Sequence, residues 1–170
     1  MNPLAELFPQ PPECGAAVWP VRASGELERL LANEGETCSL GRDSKLFSAG
    51  DEARGIFLVT RGTARASLKD EPGRELTACM AGPGSVLGLP SAMCSKSYQI
   101  DVVAVEPLEV AFLTADDFNR IMRARPELCM KAMELMCDEL AVLKQTREHM
   151  KRCANESCAL YCSCHQEAVG

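Results

Sequence analysis

Histidine is scarce in this chain. Only His149 and His165 occur, both in the C-terminal part. No GxSxG, HExxH or phosphate-loop motif is present either. Acyl transfer, zinc hydrolysis and nucleotide hydrolysis thus lack their common sequence carriers. Asp116 and Asp117 read as first-turn residues of a helix, not as a catalytic pair. The expectation is a protein that is not an enzyme.

Long hydrophobic runs are also missing. The most apolar stretch, Ile100 to Leu113, is broken by Asp101, Glu106, Pro107 and Glu109 and is too short to cross a bilayer. The start, MNPLAELFPQPPECG, has no basic region and is interrupted by prolines, which argues against a signal peptide. A cytoplasmic, reducing location with no membrane partner is expected. Positive charge is in deficit: 18 Lys and Arg face 24 Asp and Glu, a net of -6. A nucleic-acid surface would therefore have to be a local patch. Lys144, Arg147, Lys151 and Arg152 form such a set, but cations near a helix C-terminus are favoured by the helix dipole alone. No nucleic acid is expected to bind this chain by itself.

What the chain does have is a foldable length and much cysteine. Its 170 residues, 46% hydrophobic, suit one domain with a helical extension. Ten cysteines are many for a reducing compartment. Cys14, Cys38, Cys79, Cys94, Cys129 and Cys137 are scattered and read mostly as small packing residues.

Residues 1–20 read as a proline-rich flexible arm. Ser24 is placed to cap a short helix from about Gly25 to Asn33, with Leu27, Leu30 and Leu31 on one face and Gly35 beyond its end. Between Thr37 and Thr114 short β-type runs are punctuated by Gly50, Gly55, Gly62, Gly73, Gly82, Gly84 and Gly88. Ile56 to Arg61 is a largely buried strand. Ala64, Ala66 and Leu68 alternate with polar residues in the next one. Asp70-Glu71-Pro72-Gly73 is a hairpin turn. Arg74 to Met80, Val102 to Val105 and Val110 to Leu113 complete the pattern of an all-β barrel or roll. Thr114 is a good N-cap for ADDFNRIMRA, and Pro126 opens a long helix to about Arg152. Along it, Cys129, Met133, Met136, Leu140, Leu143, Arg147, Met150 and Ala154 are spaced alternately by four and three. That spacing predicts a parallel dimer seam, with packing on the β-domain as the alternative.

The ordered motifs SAGD at Ser48 to Asp51, Arg61-Gly62, GPGSVLG at Gly82 to Gly88 and the proline opening the last helix resemble the effector domain of the CRP/FNR family of cyclic-nucleotide-binding regulators. The resemblance covers about Trp19 to Lys151. It implies an α+β fold: a double-stranded β-helix (jelly roll) with an N-terminal helix and a long C-terminal dimerisation helix. The expected boundaries are 21–125 for the roll and 126–152 for the dimer helix, with 153–170 read from its own residues as a cysteine-rich tail.

The resemblance also implies a phosphate-binding cassette after Gly88. The family supplies helix-end N–H groups, a glutamate for the ribose, and an arginine followed by a hydroxyl residue for the phosphate. Here Gly88 stands, but Leu89 occupies the glutamate position and Pro90 lacks an N–H. Tyr98 aligns with the arginine and Gln99 with the hydroxyl residue. Ser91 lies in the same segment. Lys96 is a point charge that cannot form the planar fork. Weak or absent cyclic nucleotide binding is expected. The cavity is expected to be filled by its own side chains, or else to take an uncharged ligand lined by Leu89, Met93, Tyr98 and Ile100.

The tail carries Cys153, Cys158, Cys162, Cys164 and His165. Thiolates and imidazole suit zinc, or an iron–sulfur cluster where four sulfurs converge. A reduced, unstructured tail and a redox switch are the other readings. Members of the family that regulate transcription carry a helix-turn-helix after the long helix. This chain is expected to lack it, by natural shortness or as a fragment of a DNA-binding regulator. The functions in view are a CRP/FNR-type sensor with a degenerate pocket, a thiol or metal sensor, and a dimerisation module that binds no ligand.

Overall fold

The computed structural model describes residues 22–23, 25–69 and 75–155. Helix α1 (Gly25–Glu34) buries Leu27 and Leu31, one turn apart. It ends where the Gly35 N–H returns to the Leu31 carbonyl at 3.1 Å. A Cβ on Gly35 would sit 2.7 Å from that same oxygen, so glycine permits the stop. Ser24, its expected cap, lies outside the described residues.

Eight strands follow: β1 (Glu36–Leu40), β2 (Lys45–Phe47), β3 (Gly55–Arg61), β4 (Ala64–Lys69), β5 (Glu75–Ala81), β6 (Val86–Leu87), β7 (Asp101–Ala104) and β8 (Leu108–Thr114). A five-residue helix, α2 (Leu89–Met93), interrupts them after β6. The strands form two four-stranded sheets, ordered β1-β8-β3-β6 and β2-β7-β4-β5. Every pairing is antiparallel. The fold is the α+β jelly roll that the resemblance implied. The expected hairpin turn at Asp70 to Gly73 lies outside the described residues, although Lys69 and Glu75 pair across it.

The two sheets differ in what covers them, and the sequence pattern follows from that. In β3, Ile56 and Leu58 point to a cluster shared with the helices, and Phe57 and Val59 point into the roll. Both faces are buried, so the strand reads as an unbroken apolar run. In β4 Ala64 and Ala66 face the roll, but a bulge between Ala66 and Ser67 breaks the expected alternation, so Ser67 is buried and Leu68 only half-buried. The helix-side cluster joins Leu27, Leu31, Ile56, Leu58, Val86, Leu89, Phe118, Leu128 and Leu135. The roll interior joins Phe47, Val59, Leu87, Tyr98, Val102, Leu108 and Val110.

Helix α3 (Ala115–Ala124) starts as its sequence predicts: Thr114 Oγ1 accepts from the Asp117 N–H at 3.1 Å. Helix α4 (Pro126–Asn155) starts at the expected proline and runs to Asn155 rather than Arg152. At the junction Arg125 pairs with Glu26 of α1 and with Glu127, tying the N-terminal helix to the bend.

Candidate functional site

The segment after β6 is built around Gly88, whose φ of 81° is left-handed and favours glycine. Its carbonyl accepts from the Ala92 N–H at 3.0 Å and so starts α2. Pro90 stands in the first turn of that helix and contributes no N–H there. Leu89 and Ala92 point to the helix-side cluster, joined by the half-buried Met93. Ser91 is buried, and its carbonyl accepts from the Lys96 N–H at 3.0 Å. The reversal passes through Ser95 at φ 51°. Lys96 itself is exposed.

From there the chain runs beside the 50–53 loop. Glu52 and Ser97 form an antiparallel bridge. The Tyr98 N–H donates to the Asp51 carbonyl, and the Gly50 N–H donates to the Tyr98 carbonyl, both at 2.9 Å. An extended segment alternates its side chains, so Tyr98 goes in and Gln99 goes out. Tyr98 is 4% exposed. Gln99 is exposed, and its Nε2 turns back to donate to the Ser97 carbonyl at 2.8 Å.

The Tyr98 ring stacks on Phe47 with centroids 4.0 Å apart. Its hydroxyl donates to the Gly55 carbonyl at 2.7 Å and receives the Gly55 N–H at 3.3 Å. Burial pushes the phenol above its ordinary pKa, against smaller opposing effects that include the Gly55 hydrogen bond. The hydroxyl thus remains protonated and able to donate. A Cβ on Gly88 would meet Tyr98 Cε1 at 2.7 Å, so the ring lies directly against the glycine that opens α2.

The four residues expected to line one cavity are therefore divided. Leu89 and Met93 belong to the helix-side cluster, Tyr98 and Ile100 to the roll interior. A β-sheet separates the two. Sequence reasoning also missed the partners of Tyr98, because Phe47 and Phe57 are distant in sequence and follow no shared spacing.

Along α4, Leu128, Ala132, Leu135 and Glu139 are buried. Of the expected seam, Met133 and Leu140 are exposed, at 47% and 58%, and Met136 is half-buried. The side chains of Leu143, Arg147, Met150 and Cys153 lie outside the described residues, as do Cys158, Cys162, Cys164 and His165. Cys38, Cys94, Cys129 and Cys137 are free thiols. Among the described residues no group of three or more His, Cys, Asp or Glu is placed to hold a metal. No helix among them is long and apolar enough to cross a membrane.

Two antiparallel sheets closed into a roll, with a glycine-started helix at the rim and a long helix behind, define a jelly-roll domain with flanking helices. Residues 37–125 match the cyclic nucleotide-binding domain family, and the chain belongs to it. A cyclic AMP receptor protein of Thermus thermophilus is 27% identical over 95 residues, which are 56% of this chain and 44% of that protein. The chain thus spans less than half the length of that relative. The catabolite activator protein of Thermus thermophilus superposes with a TM-score of 0.66 at 22% identity, over 75% of this chain and 60% of that one. The c-di-GMP-responsive global regulator CLP of Xanthomonas campestris gives 0.65 at 18% identity, over 75% and 63%. Both structures share this fold.

Proposed function

We propose that this chain is a regulatory sensor module of CRP/FNR type, cytoplasmic and without catalysis, whose pocket does not hold a cyclic nucleotide. The observation that carries this reading is the seating of Tyr98 against Gly88. An anion clamp needs a guanidinium beside helix-end N–H groups. At that place stand a buried aromatic ring, a proline, and a glutamine turned to solvent. Loss of one charge-assisted hydrogen-bonded contact costs on the order of 3 kcal/mol, roughly a hundredfold in Kd. Loss of the ribose acceptor adds to that.

Output passes through α4. Its exposed Met133 and Leu140 fit a second copy of the same helix, and a parallel dimer would couple the two rolls. A signal must then favour one of two arrangements of that pair. The thiol or metal reading of Cys153, Cys158, Cys162, Cys164 and His165, with zinc or an iron–sulfur cluster as cofactor, rests on sequence alone. Metal analysis of anaerobically purified protein tests it.

Isothermal calorimetry with cyclic AMP, cyclic GMP and cyclic di-GMP tests the main proposal. No heat of binding is expected at tens of micromolar protein. Micromolar affinity for any of the three overturns it.

A further inference from the structure

We infer that the space bounded by Gly55, Phe47 and Gly88 is a phenol site, and that the side chain of Tyr98 is its built-in occupant. This deepens the proposed function, on which it rests in part, because both depend on the seating of Tyr98 against Gly88. Three features converge on one hydroxylated ring. The first is polar. The Gly55 peptide offers both an acceptor, at 2.7 Å, and a donor, at 3.3 Å, to the same oxygen. A phenol hydroxyl satisfies both, being donor and acceptor at once. The second is aromatic. The Phe47 and Tyr98 ring centroids lie 4.0 Å apart with their planes at 22°, closer than the Phe47–Phe57 pair at 5.5 Å or the Phe57–Phe112 pair at 4.9 Å. The third is a gap. The missing Cβ of Gly88 leaves the volume that the ring edge fills, and any side chain there would meet Cε1 at 2.7 Å.

The backbone that delivers the ring is held independently of it. The Tyr98 N–H and carbonyl are both bonded to the 50–51 loop, and Ala53 donates to the Lys96 carbonyl at 3.2 Å. Truncating the side chain leaves these bonds in place, so the site empties without collapsing. Enclosed apolar cavities take up small aromatic molecules that match them, and here the Gly55 peptide adds a partner for a hydroxyl. The chain thus carries its own ligand: the roll is held in an occupied form with nothing bound.

Tyr98→Ala deletes the phenol and nothing else, and thermal unfolding with added phenol reads the vacancy. The midpoint of Tyr98→Ala is expected below wild type, and is expected to rise with phenol concentration as native-state binding requires. Wild type and Tyr98→Phe keep their rings and are expected to show no rise. Benzene lacks the hydroxyl, and its shift in Tyr98→Ala is expected to be smaller than that of phenol. The inference is overturned by a Tyr98→Ala midpoint that ignores phenol, by an equal rise in wild type, or by benzene matching phenol. If Tyr98→Ala does not fold alone, its refolding yield is compared with and without phenol. Phenol-dependent recovery supports the site, and no recovery overturns it. Cyclic nucleotide binding by wild type would sink the proposed function and leave the phenol result standing, so the two failures are distinct.

Discussion

Glu139 is the residue at which charge and packing conflict most. It lies on the inner face of α4, in line with Leu128, Ala132 and Leu135, and is buried. Desolvation raises its pKa from 4.5 to about 7. Below pH 4.5 the carboxyl is protonated in both the folded and unfolded chain. Between pH 4.5 and 7 the unfolded chain releases the proton and the folded chain keeps it. Stability therefore falls as pH rises through this window, and above it the loss is complete, on the order of 3 kcal/mol. Glu139→Gln is expected to flatten this dependence and to exceed wild type in stability at pH 8. Urea unfolding at pH 5 and pH 8, at one protein concentration, checks it. A wild type equally stable at both values would contradict the assignment. Gly55 is the second residue with a sharp expectation. A Cβ there would collide with the Leu113 carbonyl and the Phe112 ring. Gly55→Ala is expected to destabilise the roll by more than 1 kcal/mol or so, the scale of an overpacked core, by the same measurement.

At the scale of elements, local signals and long-range needs divide cleanly. Helix α3 is announced by its own first residues. Thr114 Oγ1 accepts from the Asp117 N–H and donates to Asp117 Oδ2 at 2.8 Å, and Arg120 then pairs with the same carboxylate at 2.7 Å. Thr114→Ala is expected to cost about 1 kcal/mol, the usual price of a lost cap, read as a lower urea midpoint with unchanged m-value. Asp117 is exposed to solvent around this network, and its lowered pKa follows first from the Arg120 hydrogen bond, then from Thr114. Helix α2 behaves otherwise. Five residues with a proline in the first turn carry little helical preference. It forms because Gly88 adopts a left-handed φ and because Leu89 and Ala92 are buried where α2 packs on β3 and α3.

The whole molecule has a two-sided sheet at its centre. Sheet β1-β8-β3-β6 carries the roll interior on one face and the cluster shared with α1, α2 and α3 on the other. Helix α4 packs on α1 and α3, and these two lie on β3 and β8, so a change inside the roll reaches α4 through the sheet and then through those helices. The proposed dimer belongs to this scale. Leu140→Glu places a charge in the exposed apolar stripe of α4, opposite its symmetry mate. Sedimentation velocity is expected to show wild type as a dimer and Leu140→Glu as a monomer with an unchanged far-UV spectrum. A wild type that sediments as a monomer at tens of micromolar would remove the dimer from the proposal.

Much of the architecture could be read from neighbouring residues. Glycines at the turns, the Thr114 cap, the Pro126 helix start and the unbroken apolar run of β3 are signals of short range. They depend on backbone freedom and on one or two turns of periodicity, which a linear chain displays. The absence of an arginine near Gly88 was equally plain. Where the substitute residues point was not. Tyr98 turns inward and Leu89 turns to the helices because β-bridging sets the parity of one and α2 the direction of the other. Phe47 and Gly55 meet the Tyr98 ring from segments more than forty residues away. The burial of Glu139 likewise follows from which face of α4 meets the domain. Periodicity marks a face as apolar, but packing chooses which face turns inward, because burial is a property of the assembled layers and not of any one element.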